Sequence, residues 1–484
     1  MDANYRTDAG RLALFGGLLM GTQLLVFLPA AQSSGWMNFH IDDSWMYARF
    51  ADQTAVDGFL RDSSSADEYV RARMPGYPIL LMGIRWAAVE LNVSVGAATT
   101  ILNVLFLIAS AMLIHLTLIR TVGDPRVAWL GAAAVFVVPG MAPYVFAHMP
   151  ESMTLFLWSA AAACLTSRNR SLAPWSAGML AGMATLTKPV SLTIAVATIP
   201  ILFLMKSERR PRRAVLFTFG LIPLPALWVF RNWLLWGTVL MTPNSGTHLY
   251  DYLRGMLRQH QGLASAQRHP LTGLTFDARI PTTREGWRER FGFDFDNLGK
   301  RTQLLGRLAT EEILADPVGF AKMAAVKQPR LYVGAGAQAL YSMSFDDPDA
   351  ARIAVRNEDW IWNSGWWAYQ GASSILLALG YGLSALGAWR GLRDRRWRTT
   401  VLVCLALLLV QSAVVGPFGH TRYRFLMTPL FGVLAAIGMA GSRSRQHQVV
   451  AVDHFLPSRS GKQVRKLRGR AAHDPPRLVG RVVR

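Results

Sequence analysis

The sequence predicts an all-α polytopic membrane protein with about ten transmembrane helices, and three observations predict it. Hydrophobic residues make up 51% of the 484 positions, too many and in too long a chain for an ordinary single soluble domain. Several apolar runs reach the roughly 20 residues needed to cross about 30 Å of hydrocarbon. None alternates with the period of two that marks a barrel strand, so the spans are read as helices.

The first run, LALFGGLLMGTQLLVFLPAA at 12–31, follows Arg6 and Arg11 like a secretory signal. It is long for a signal's apolar stretch and many spans follow it, so it is read as an uncleaved helix. Nine more spans are read at 97–119, 127–147, 151–167, 172–187, 189–205, 214–236, 367–390, 399–417 and 424–441. The segment 77–92 is different, because it is short and carries Arg85 and Glu90. Each charge would cost about 2.5–3.5 kcal/mol near the centre of a span.

Charge settles its placement. If 77–92 crossed, RTVGDPR (120–126), SRNR (167–170) and KSERRPRR (206–213) would all face outward, against the tendency of basic loops to stay inside. If it lies along the outer interface, every strongly basic loop is cytoplasmic, GLRDRRWR (391–398) and the C-terminal tail included. The expected protein is then a multi-pass cell (inner) membrane protein with both termini cytoplasmic. Its first outer loop is 32–96 and its long outer loop 237–366, with HMPE (148–151), Lys188 and GPFGHTRYR (416–424) on the same face.

The net charge of +21 would suggest nucleic acid in a soluble protein. Here the basic residues sit in short loops and a tail, so orientation explains them and no nucleic-acid partner is expected. Cys164 and Cys404, both within predicted spans, offer neither a disulfide framework nor a cysteine metal site. A membrane module over 1–441 is followed by a basic tail, 442–484, expected to be disordered and drawn to anionic lipid. No inverted repeat of the transporter kind is visible.

The outer face collects the chemically interesting residues. In HIDDSWMYARFADQ (40–53), Asp42 and Asp43 follow the first span. Asp43, Tyr47 and Ala51 recur every fourth residue and share a helical face, while Trp45 and Phe50 are placed to dip into the membrane interface. A polar stretch then leads to RARMPGYP, which returns Arg71 and Arg73 toward the bilayer.

The order of these elements resembles the membrane-embedded GT-C glycosyltransferases, nearest the aminoarabinose transferases and protein O-mannosyltransferases (glycosyltransferase family 39-like). The resemblance runs over about residues 10–440 and rests on the acidic pair with a tyrosine four residues on, GYP, a P-E element, L-T-K-P, W-x-x-R-N and a late H-x-R-Y. It implies GT-C architecture with amphipathic juxtamembrane helices in the outer loops. It also implies a polyprenyl-phosphate-sugar donor, and an aspartate base toward an acceptor hydroxyl on a glycan, lipid or protein. Asp43 reaches Tyr47 and Gly58 in the family's register and Asp42 is out by one. Ser44 stands where the family has its second acid, so Asp43 is the candidate base with Asp42 as its neighbour or understudy.

The chemistry suits the residue types. A hydroxyl attacking an anomeric carbon needs a carboxylate to take its proton, and an adjacent like charge raises the pKa of one of the pair. The leaving phosphate needs positive charge rather than an acid. Candidates are Lys188 in LTKP and Arg422 and Arg424 in HTRYR, with the alternative that each anchors a helix at the interface. Arg231, near the outer end of its span, is a further substrate-binding candidate, with the alternative that it pairs with an acid such as Glu151, since a buried arginine there is costly unpaired. Glu151 itself is either an N-terminal cap favoured by the helix dipole or a supporting site residue. His148, His420 and Tyr423 complete the set, with the histidines read as hydrogen-bonding residues because no spacing resembles a metal site.

The long outer loop is expected to shape the acceptor site. Within it, 311–332 is placed on the membrane surface, with Lys322, Lys327 and Arg330 near lipid phosphates. Asp294 and Asp296 in DFD imitate a metal-binding motif of soluble transferases, as do Asp346 and Asp347, but no nucleotide-binding α/β domain surrounds them. No cofactor is assigned and a divalent-cation requirement stays open. Two other classes compete: a transporter or flippase of lipid-linked glycans, which would carry charges deep within its spans, and a catalytically silent scaffold.

Overall fold

Short-range signals set the helix ends. The computed structural model describes residues 10–11, 14–19, 44–57, 73–137, 144–145, 148–167, 172–204, 210–242, 245–263, 280–281, 283–333, 364–418 and 421–440. Helix α1 (Ser44–Asp57) is followed by α2 (Gly76–Glu90), α3 (Val95–Thr121), α4 (Pro125–Val137) and α5 (Glu151–Leu165). Ser94 caps α3, its hydroxyl accepting from the Ala97 amide at 3.1 Å, which satisfies one of the donors a helix start leaves free. Asp124 does the same for α4 at the amides of Arg126 and Val127.

Next come α6 (Ala173–Thr187), α7 (Ser191–Leu204), α8 (Arg210–Leu221) and α9 (Pro223–Trp236). Glycines let α6 and α8 approach closely. A Cβ on Gly178 would collide with the Phe217 carbonyl, and one on Gly220 with the Trp175 carbonyl. Close backbone packing through small residues is how helices associate where no hydrophobic drive exists between them. Helix α9 stops at Gly237, whose φ of +65° is left-handed and costs glycine nothing.

The long expected outer loop is largely helical where it is described. Helix α10 (Ser245–His248) continues through a π-helical segment, Leu249–Arg254, into α11 (Gly255–His260), and α12 (Arg284–Phe291), α13 (Leu298–Ala315) and α14 (Pro317–Val333) follow. It has its own core: Trp287 is fully buried among Tyr250, Ile280, Leu304, Leu305 and Ala309. Phe291, Phe293 and Phe295 surround the indole with centroids 4.9–6.0 Å away. In FGFDFD the aromatics alternate inward, and the intervening Asp294 and Asp296 pair with Arg288 and Arg284. Asp346 and Asp347 lie outside the described residues, as does the tail from 441.

Helices α15 (Ser364–Arg393) and α16 (Arg398–Val415) lead through two 3₁₀ turns, Gly416–Phe418 and Thr421–Leu426, to α17 (Thr428–Ala440). Nine of the ten expected spans overlap described helices, 127–147 only over 127–137 and 214–236 as two helices, and the described part of the first, residues 14–19, packs Phe15 on Trp129 at 5.5 Å. Among the described residues, four helices are long and apolar enough to cross a membrane: Val95–Thr121, Pro211–Trp236, Gln370–Arg393 and Arg398–Val415. Pro125–Val137, Glu151–Leu165, Ser191–Leu204 and Thr428–Ala440 are apolar but shorter. At 1.5 Å per residue a helix of about 14 residues covers only about 20 Å.

One placement is corrected. Phe50 does not reach toward a membrane interface; it is buried with Met46, Met74 and Trp228 inside the protein. Met46, Tyr47, Phe50, Ala51 and Thr54 form the buried face of α1, and Asp52 on its other side pairs with Arg85 of α2. Arg85 therefore has a counter-ion. The Trp45 side chain lies outside the described residues.

Candidate functional site

Two prolines build the centre of the site. Pro150 stands at the start of α5, where a missing N–H costs nothing, and puts Glu151 in the first turn. There a carboxylate meets the positive end of the helix dipole. Pro189 disfavours helical geometry at the residue before it. Lys188 is extended at φ −147°, ψ 114° and closes α6, where a cation meets the negative end of that helix's dipole.

Helices α5 and α6 are consecutive, joined by a short connection, and packed against each other, so the start of one lies beside the end of the other. Lys188 Nζ donates to Glu151 Oε1 at 2.6 Å, with both side chains almost completely buried. Lys188 is thus no snorkelling anchor. Its Nζ also lies 5.0 Å from the centre of the Tyr423 ring, and the Arg422 guanidinium 5.2 Å from the same ring. Both separations are within the range of cation–π attraction. The turn Thr421–Leu426 packs on α5, so residues more than 230 positions apart in sequence meet at one end of the bundle.

The expected partnership of Arg231 with Glu151 is not what forms. Glu151 takes Lys188. Arg231 is buried on α9 with its guanidinium 4.6 Å from the Trp228 ring and 4.7 Å from the Trp236 ring, and donates to Asn232 Oδ1 at 3.0 Å. Asn232 in turn donates to the carbonyls of Leu240 at 2.8 Å and Met241 at 3.1 Å. The W-x-x-R-N element therefore holds the turn after α9, while Trp228 packs against α1.

Arg73 donates to Met46 Sδ at 3.2 Å, which ties the RARMPGYP segment to α1. Arg424 is buried and donates to the Tyr332 carbonyl at 2.7 Å, an oxygen that also accepts from the Tyr381 hydroxyl at 2.9 Å. This arginine connects the 3₁₀ turn to α14. Lys322 on α14 is exposed and Lys327 half-buried, and the Arg330 side chain lies outside the described residues. Asp42, Asp43, Gly58, Arg71 and His420 lie outside them as well, with Asp43 immediately preceding α1 in sequence. His148 is buried three residues before Glu151. No group of three His, Cys, Asp or Glu capable of holding a metal ion occurs among the described residues.

Sequence reasoning quoted GYP as a motif but passed over its tyrosine. Tyr77 is fully buried, edge-on to Tyr47 of α1 at 5.6 Å and 87°. Its neighbour Gly76 touches the end of α6: a Cβ there would lie 2.8 Å from the Thr187 amide nitrogen, one residue before Lys188. Burial, reinforced by nearby Glu151 and Tyr47, pushes the Tyr77 phenol far up and outweighs the opposing influence of Asn103. Gly76 thus sets the start of α2 against the end of α6 that carries Lys188.

No protein-family model matches the sequence, and no curated protein matches it. Among solved structures, the chain is similar to the archaeal oligosaccharyltransferase AglB from Archaeoglobus fulgidus in complex with an inhibitory peptide and a dolichol-phosphate. The identity is 13%, the TM-score 0.46, and the match covers 97% of this chain and 54% of that one. It is also similar to the Archaeoglobus fulgidus oligosaccharyltransferase in its apo form, at 13% identity and TM-score 0.49, covering 93% and 52%. The chain spans about half the length of these structures.

Proposed function

We propose that this chain is an integral membrane glycosyltransferase of GT-C architecture, crossing the bilayer about ten times. It moves a sugar from a polyprenyl-phosphate carrier to an acceptor hydroxyl on the outer face, with inversion at the anomeric carbon. The observation that carries this reading is the cationic end of the helix bundle, where buried Lys188, held by Glu151, lies against Tyr423 with Arg422 on the same ring. A phosphate leaving group needs fixed positive charge in a site of low dielectric. Lys188 and Arg422 supply it, with Arg73 contributing from the segment tied to α1. Asp43 enters just before α1, whose Tyr47 is braced on Tyr77, and takes the acceptor's proton.

The test uses a strain lacking the protein and the same strain complemented with wild type or Asp43→Asn. Loss of one sugar from the membrane glycans, with accumulation of a polyprenyl-phosphate sugar, is expected in the deletion. Wild type restores transfer and Asp43→Asn lowers its rate by about 10²–10⁴-fold, the usual contribution of a general base. Undiminished transfer by Asp43→Asn removes Asp43 as base. Unchanged glycans and carrier pools in the deletion remove the glycosyltransferase reading.

A further inference from the structure

The turn between α15 and α16 carries a charge pattern that sugar transfer does not use. Gln370–Arg393 and Arg398–Val415 are both long and apolar enough to cross a membrane. With both crossing, the residues that join them lie at a bilayer surface. Five arginines stand between 390 and 398, with Asp394 the one acid among them.

Hydrogen bonds fix this turn. Asp394 accepts from the Arg396 amide at 3.0 Å and from its guanidinium at 2.9 Å, while the Asp394 carbonyl accepts from the amides of Trp397 at 3.1 Å and Arg398 at 3.0 Å. Arg390 donates to the Gly438 carbonyl. That leaves Arg393, Arg395 and Arg398, which are exposed and pair with no acid among the described residues. Two of the three are held in place. The Arg393 guanidinium lies 4.1 Å from the centre of the Trp389 ring, within cation–π range. Arg398 Nε donates to the Leu392 carbonyl at 2.8 Å, which engages one of the five N–H donors of its fork.

The pattern exceeds what the helices need. Cations suit the C-terminal end of α15, but Arg398 opens α16, where the helix dipole opposes positive charge. The first turn of α16 has no acidic residue, and Trp397 at its cap makes no side-chain hydrogen bond. A basic loop that only oriented the chain in the membrane would need charge in any geometry. Oriented guanidinium forks are matched by phosphate oxygens, which accept two parallel N–H donors. Beside them Trp389 is 53% exposed and Leu392 37%, an indole and an aliphatic chain of the kind that meets lipid below its headgroup.

We propose that the α15–α16 turn binds one anionic phospholipid, its phosphate on Arg393 and Arg398 with Arg395 adding charge, and its acyl chains along Trp389 and Leu392. This rests on the membrane-spanning part of the reading above and is independent of the transfer chemistry.

Full-length protein in detergent is titrated separately with phosphatidylglycerol and phosphatidylcholine, and native mass spectrometry counts the lipids retained. Wild type is expected to hold one phosphatidylglycerol with a preference of about tenfold. Arg393→Lys with Arg398→Lys, its fold checked by thermal unfolding, keeps every charge but loses the forks, and lowers the preference to about twofold or less. Arg307→Lys, on α13, leaves it unchanged. The proposal falls if both lipids bind equally well, or if the double lysine variant keeps the wild-type preference, since charge alone would then suffice. Displacement of phosphatidylglycerol by millimolar inorganic phosphate overturns it too, by making the turn a site for free phosphate. Release of the protein from membranes by alkaline carbonate overturns the membrane reading itself, a result distinguishable from loss of lipid preference.

Discussion

The two ends of α5 handle charge in opposite ways. At its C-terminal end Arg120 Nη1 donates to the Ala163 carbonyl at 3.0 Å and Arg213 donates to the Leu165 carbonyl. Each guanidinium there satisfies backbone acceptors that a helix end leaves over, and each also complements the dipole. Arg390 does the same for α17 at the Gly438 carbonyl. At the N-terminal end a cation and an anion are both buried, paired with each other, and one carboxylate oxygen has no donor. The first end uses charge to complete a helix. The second buries a cation and an anion against each other inside the bundle.

The comparison can be broken most severely at the buried end. Lys188→Met leaves Glu151 uncompensated and is expected to destabilise the protein by about 3–5 kcal/mol. The double replacement Lys188→Met with Glu151→Gln should recover most of that loss while transfer stays abolished. Unfolding in detergent micelles, with a transfer assay on the same samples, measures both. A single variant as stable as wild type would mean that the pair is not a buried ion pair.

Smaller effects belong to the other end. Arg120→Ala removes one hydrogen bond to a carbonyl and should cost about 0.5–1.5 kcal/mol in the same unfolding experiment, with transfer rates unchanged. A loss of transfer larger than the loss of folded protein would show that the arginine end also serves the reaction.

The smallest effect lies outside both ends, at the corner between α13 and α14. Asp316 accepts from the Gly319 amide at 2.8 Å and from Gln261 Nε2 at 2.6 Å. The backbone bond first, and the Gln261 bond second, hold its carboxyl below the usual range. A folded-state pKa depressed in this way contributes stability that is fully present above the ordinary carboxylate value of about 4 and lost as pH falls through and below it. Hydrogen exchange at the Gly319 amide, corrected for its intrinsic pH dependence, should therefore accelerate as pH drops below about 4. Asp316→Asn should remove that acid-dependent component.

Much of the architecture was legible because its signals are local. The apolar runs act within a few residues and described helices overlap them, and the structure adds equally local helix ends at Ser94, Asp124 and Gly237. The face of α1 was legible too, since Tyr47 and Ala51 do share its buried side. Phe50 was misplaced because an aromatic beside a membrane has two apolar destinations. Only the arrival of Met74 and Trp228 from distant segments selects the inner one. The FDFD stretch was read for its acids, whereas its alternating phenylalanines were the stronger signal, with Trp287 as their target.

At the candidate site the sequence determined the cast and the tertiary structure the pairings. Glu151 and Lys188 were recognisable as helix-end charges from the prolines beside them, and Tyr423 and Arg422 from a motif before the last helix. That Lys188 and not Arg231 answers Glu151 was decided by α5 and α6 lying side by side, while Arg231 is held between two tryptophans of α9. An ion pair forms between charges that share a level in the folded bundle, and no residue's own neighbourhood in sequence encodes that level.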